Sequence, residues 1–307
     1  MDRWSWRYWL AFALAICGLL LLAIYCFHPA FNDLSFWVNP SLASNFGSFV
    51  GGFIGSLFSL AGVLLLFETL IRQQRIFQRQ QFETRFFEMV RFHRENVSEM
   101  VHKIPQEENV EVTGRRVFLQ MRRQYGEILS LLKKDYSNLL TTDEVLDISY
   151  LILFFGVGSD SLDMLRYKLS KYKDKKEVTE KIIEELRKKK SKGLKTVYFG
   201  GHQSRLGHYF RHLFQSVKYI DSQSFLSEAE KYEYVKTLRA QFSTEELVIF
   251  FFNSLSQLGE QWERAVTRSE HKLVTKYKFI KNIPQGFTFG IEPKNYYKFE
   301  YEYEENP

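Results

Sequence analysis

Residues 45–62 read NFGSFVGGFIGSLFSLAG, and the fold turns on what this stretch is. Glycine costs a helix interior about 1 kcal/mol relative to alanine. Yet Gly47, Gly51, Gly52, Gly55 and Gly62, with Ser48, Ser56 and Ser59, crowd a run that carries no charge from Phe46 to Phe67. That run is 22 residues long, and about 20 apolar residues cross the hydrocarbon of a bilayer. On a helix Gly47, Gly51, Gly55 and Ser59 recur every fourth residue, with Ser48, Gly52 and Ser56 in a row beside them. Such a stripe lets a second backbone come close, which is how helices associate in lipid, where no hydrophobic drive holds them together. The stripe could pack against another span of the same chain or against other copies. One partner helix uses one row and two are present, so Gly47, Gly51, Gly52, Gly55, Ser56 and Ser59 are expected to form a homo-oligomer contact.

Working outward, a second uncharged run covers Tyr8 to Phe27, 20 residues. It is too long for the apolar core of a signal peptide and ends in no small-residue cleavage site, so it is expected to span the membrane. Arg3 and Arg7 flank it on one side, and Arg72, Arg75 and Arg79 follow the later run, while His28 to Asn45 holds no Lys or Arg. The positive-inside rule then puts both termini in the cytoplasm, with a short outer loop between the two spans. Trp4, Trp6, Trp9 and Trp37 fall near the expected interfaces. The two cysteines, Cys17 and Cys26, both lie in the first span, which excludes a disulfide framework.

The remainder is soluble in character. At 45% hydrophobic and 17% aromatic overall, the chain has the material for a packed core. The expected organisation is all-α: a two-helix transmembrane region at 1–71, a helical cytoplasmic domain at 72–283, and an aromatic and acidic tail at 284–307. Ile76, Phe77, Phe82, Phe86, Phe87, Val90 and neighbours keep helical spacing, so the second span should continue as one helix to about Met100, with Pro105 beyond it. Further helices are expected at about 113–135, 142–172, 175–191, 204–220, 227–240 and 243–278. Tyr296, Tyr297, Phe299, Tyr301 and Tyr303 alternate with glutamates and read as strand-like. Lys171 to Lys195 holds 11 Lys or Arg against 5 Asp or Glu. That segment fits an anionic lipid or nucleic-acid contact, but the interleaved acids favour a solvated helix laced with pairs such as Glu184 with Lys188.

The search for catalytic chemistry is mostly negative. GVGSD at 156–160 lacks the Lys-Ser/Thr ending of a phosphate loop. His208 and His212 share a helical face but have no third ligand nearby, so no metal and no cofactor are expected. One pattern survives. Arg205 and His212 have six residues between them, as do Arg264 and His271. A cation with an imidazole at such spacing is what helical-hairpin ribonucleases of the HEPN type carry, the cation stabilising the phosphorane and the imidazole moving the proton.

Four blocks carry a resemblance: FETRFFEMVRFHRENV at 82–97, LGHYFRHLFQSVKYID at 206–221, FFNSLSQLGEQW at 251–262 and LVTKYKFIKNIP at 273–284. In this order they resemble the putative phage abortive infection protein family, sometimes called AbiC-like, with Phe87, His93, Asn96, His208, Tyr209 and Arg211 as motif positions. The resemblance implies two N-terminal spans, a helical domain and a role in antiphage defence, and it supplies no catalytic residues. Two-span proteins of this general kind also act as toxic effectors beside retron reverse transcriptases. The partners it implies are therefore membrane lipid, further copies of the chain, and a protein or ribonucleoprotein regulator such as a retron reverse transcriptase with its nucleic acid. Resemblance and physics fit a membrane effector that kills by a pore or by membrane disruption, with a membrane-tethered HEPN-like ribonuclease and a non-catalytic anchor or adaptor as alternatives.

Overall fold

The computed structural model describes residues 6–27, 40–103, 111–191, 200–263 and 272–305. Arg3, Trp4, Trp37, Pro105 and the pair Arg264 and His271 lie outside them. The chain is helical almost throughout and divides into two compact units, residues 1–85 and 86–307.

In the first unit, α1 covers Trp6–Cys26 and α2 covers Pro40–Phe49; a π-helical turn, Val50–Ile54, then leads into α3, Gly55–Ser98. Trp6–Ile24 and Pro40–Ser98 are both long and apolar enough to cross a membrane. The second far exceeds one crossing, and its apolar part closes at Phe67, since nine charged residues follow between Arg72 and Glu95. The π-helical turn sits on Gly51 and Gly52, where the missing side chains make the wider turn easy. It was not legible from spacing.

Helix α1 runs antiparallel to α3. Arg7 lies 3.8 Å from Glu68, the Arg72 guanidinium sits 4.9 Å over the Tyr8 ring, and a Cβ on Gly18 would lie 3.3 Å from the Phe58 ring. Ala11 and Gly18 are buried on α1, and Ile54, Ala61 and Glu68 opposite, seven residues apart in each case. Small residues thus make the approach on α1, as membrane helix pairs require. Glu68 is enclosed by Arg7 and Arg72, which offsets its burial.

The second unit is built around α4 (Arg116–Tyr136), α5 (Thr142–Phe155), α8 (Gln203–Asp221) and α10 (Thr244–Leu255). Helix α4 turns one apolar face inward, with Val117, Phe118, Met121, Tyr125, Ile128, Leu129 and Leu132 all buried. Helices α5 and α10 are buried over most of their residues, as short apolar helices of a globular core are. Their starts are set by Thr141, which forms a capping box with Glu144, and by Ser243, which accepts from the Glu246 N–H. Ring packing supplies much of the core, including Tyr125 on Phe252 at 4.2 Å and Phe250 on Trp262 at 4.8 Å.

Three sequence expectations need correction here. The helix expected over 142–172 is broken: α5 stops at Phe155, Gly156 has φ +75°, and a turn leads into α6, Leu162–Leu169. α5 and the segment after it are bent by 117°. The break admits Gly201, at φ +79°, whose absent Cβ would lie 2.3 Å from the Phe155 carbonyl oxygen. The helix expected over 243–278 also breaks, because Gly259 passes directly over the Asn253 carbonyl; a 3₁₀ turn at Glu260–Trp262 and the short α11, Leu273–Lys276, follow. Among its described residues the tail forms no strand. Tyr297, Phe299, Tyr301 and Tyr303 stack one on the next at 4.9 to 6.5 Å, through bends at Tyr297 and Phe299, which accounts for the alternation without a partner strand. Its described part closes with α12, Glu302–Glu305, and Tyr297 and Tyr301 are buried.

The other expected helices appear as α7, Lys176–Ser191, and α9, Glu228–Arg239. In α7 the Glu184–Lys188 pair forms at 3.8 Å and Ile182, Ile183 and Leu186 are buried. An unexpected two-stranded antiparallel hairpin, β1 (Val101–Lys103) with β2 (Glu111–Thr113), follows α3.

Candidate functional site

Two buried polar clusters stand out in the second unit. The first is a relay across three elements. Arg205, in the first turn of α8, donates from Nε to the Val101 carbonyl at 2.7 Å, and its Nη1 lies 3.3 Å from His202 Nδ1. His202 Nε2 donates to Gln124 Oε1, and Gln124 Nε2 lies 3.4 Å from His102 Nε2. This donor order suits two neutral imidazoles, each accepting on one nitrogen. Burial, then the neighbouring His102 and Arg205, hold His202 well below the usual imidazole range, and burial with Arg205 lowers His102.

The second cluster surrounds His93, near the C-terminal end of α3. His93 is 1% exposed and neither ring nitrogen has a hydrogen-bond partner. Its ring meets Phe242 at 4.8 Å, Tyr209 at 5.0 Å and His212 at 6.1 Å. Burial, reinforced by His212 and Arg115, pushes it down to about 4. Beyond Tyr209 lies Glu246, fully buried, which accepts from the Tyr209 hydroxyl at 3.3 Å and from Ser243 at 3.2 Å and faces Arg115 at 3.6 Å. Burial outweighs those partners and raises its carboxyl to about 7. A cleft of about 380 Å³, lined by His93, Arg94, Ser98, Arg115 and Gln241 among others, opens beside it.

The motif positions divide accordingly. His93 and Tyr209 belong to the second cluster, Asn96 is half-buried, and Phe87, His208 and Arg211 are exposed. Arg205 and His212 are turned to different neighbours, Arg205 to Val101 and His202, His212 to His93. Among the described residues no group of three or more His, Cys, Asp or Glu could hold a metal. Arg115, Gln124, His102, His202 and Glu246 were not legible as site residues. Only Glu246 leaves a local trace, as the third residue after the capping Ser243, and that spacing signals a helix start rather than a buried acid.

In the first unit, a Cβ added at Gly47, Gly51 or Gly52 would meet nothing within 4 Å, and at Gly55 only the Val50 carbonyl of its own helix, at 3.4 Å. The contact with α1 uses the face of Ile54 and Ala61, so the glycine stripe is open among the described residues.

Fold and sites together define a helical protein with two N-terminal helices of membrane-crossing character ahead of a separately packed helical domain. Within that domain, residues 201–288 match the family model described as "Putative phage abortive infection protein". The match takes in α8, α9, α10 and the turn between α9 and α10, which together carry Tyr209, His212, Phe242 and Glu246, and it supports a role in phage abortive infection. Comparison with curated proteins and with solved structures gives no match.

Proposed function

We propose that this protein is an antiphage defence effector of the bacterial inner membrane, with both termini in the cytoplasm, that disrupts the membrane once a partner releases or activates it. The observation that carries the reading is the open stripe of Gly47, Gly51 and Gly52. It is a close-approach surface inside an apolar helix, and the chain's own first span docks elsewhere. In lipid such a surface is satisfied by another backbone, and other copies of the same helix supply one. Assembly through it would gather several α2–α3 segments and open a pore or disorder the bilayer locally. The regulator would be a protein or ribonucleoprotein, such as a reverse transcriptase with its nucleic acid, acting on the helical domain.

The test is to follow membrane potential and RNA integrity together during phage infection of cells that express the protein. Depolarisation ahead of lysis with intact RNA is the expected result. Cleaved RNA in cells that remain polarised would replace this reading with the ribonuclease.

A further inference from the structure

The cleft beside His93 has what a ligand site needs and no ligand role assigned to it. Buried polar atoms in folded proteins are almost always hydrogen-bonded. His93 breaks that rule twice, on Nδ1 and Nε2, and His212 breaks it on Nδ1. At neutral pH the His93 imidazole is uncharged, so it offers one N–H donor and one lone-pair acceptor. The two nitrogens point to opposite sides of the ring, so a ligand meets one of them, through a single hydrogen bond.

At the rim the chemistry changes. Arg94 and Arg115 are both exposed and both line the cleft. Arg115 is steadied by donating to the Gln241 carbonyl at 2.7 Å. Its acidic neighbour is Glu246, whose carboxyl near 7 neutralises it only in part at neutral pH. Two guanidinium forks favour a phosphate or another oxyanion with parallel acceptors. The cleft holds about 380 Å³, within the range of roughly 300 to 1,000 Å³ typical of small-molecule sites and more than a lone oxyanion fills. Behind the cleft, Phe242 and Tyr209 pack against the His93 ring and hold it in place.

We infer that this cleft binds a mononucleotide-sized phosphate monoester, with the phosphate at Arg94 and Arg115 and one polar atom of the base hydrogen-bonded to a nitrogen of His93. The site stands on the second unit alone and does not depend on the membrane reading. Four of the lining residues, His93, Arg94, Val97 and Ser98, lie on α3, the helix whose first part carries the apolar run.

The experiment titrates the full-length protein in detergent with AMP, GMP, CMP, UMP and sodium phosphate, reading heat of binding and thermal midpoint. At least one mononucleotide is expected to bind and raise the midpoint, with inorganic phosphate weaker. Arg94→Gln, on an exposed side chain, should weaken that binding by about ten- to a hundredfold, the worth of a charged hydrogen bond. His93→Phe keeps a ring in place while removing both nitrogens, and it should weaken the mononucleotide without changing what remains of phosphate binding. If no mononucleotide binds at millimolar concentration, if phosphate binds as tightly as the nucleotides, or if a folded Arg94→Gln binds like the wild type, the inference is overturned.

Discussion

Arg205 reaches across the second unit to donate its Nε–H to the Val101 carbonyl, 2.7 Å away, so the start of α8 is fastened to the β1 strand. The sequence presents Arg205 as half of a ribonuclease pair, and its contacts make it a structural clamp. Arg205→Ala should cost about 1 kcal/mol, since the bond to Val101 is exposed and water can take the place of the lost donor. A thermal melt should show a fall of several degrees. RNA recovered from infected cells should be as intact with the variant as with the wild type.

The histidines make stability depend on pH. His102 and His202 are both held below the ordinary imidazole value, and His93 is held at about 4. Between about 4 and 6.5 the unfolded chain binds protons that the folded chain refuses, so stability is lost as pH falls through that window. Glu246 works in the opposite direction. Its carboxyl is raised from 4.5 to about 7, so the folded chain holds that proton and stability is lost as pH rises across the interval. Melts at about pH 5, 6 and 7 should show the wild-type midpoint rising with pH, and Glu246→Gln should rise more steeply because the opposing group is gone. A flat profile in both would show that the histidines are not buried neutral.

The two corrected helix breaks give a sharp pair of substitutions. A Cβ on Gly259 would lie 2.1 Å from the Asn253 carbonyl oxygen and 2.8 Å from the Ser254 Cα, and both are backbone atoms. Gly259→Ala should therefore cost about 3 kcal/mol or more, at the upper end of overpacking. Gly201→Ala should behave alike, with a positive φ added. Gly158→Ala is the control, because a Cβ there meets nothing within 4 Å. Yield of folded protein and its melting temperature should separate the first two from the third.

The long helix was legible because an apolar run followed by charged residues at helical spacing leaves a continuous trace. The breaks were not, because α5 and α10 are buried over most of their surface and periodicity cannot say where such a helix stops. Gly156 and Gly259 mark the ends, yet only the approach of Gly201 to Phe155 and of Gly259 to Asn253 gives them that meaning. The β1–β2 hairpin is three residues a side, too short for alternation to register. His93 and Tyr209 were visible as motif positions. Their burial and their link to Arg115 and Glu246 were not, since 131 residues separate that pair in the chain and only tertiary packing brings them together.

The central claim is that the open glycine row works as a helix contact in the membrane. The most direct measurement is membrane potential during phage infection in cells carrying Gly47→Leu with Gly51→Leu, at matched membrane abundance. Leucine keeps the segment apolar and improves its helix propensity, and a Cβ at either position meets nothing within the described chain, so insertion and the α1–α3 hairpin should survive. The account predicts that these cells stay polarised and lose protection against phage, and that the detergent-solubilised particle is smaller than the wild type. Full depolarisation and full protection with an unchanged particle size would contradict it.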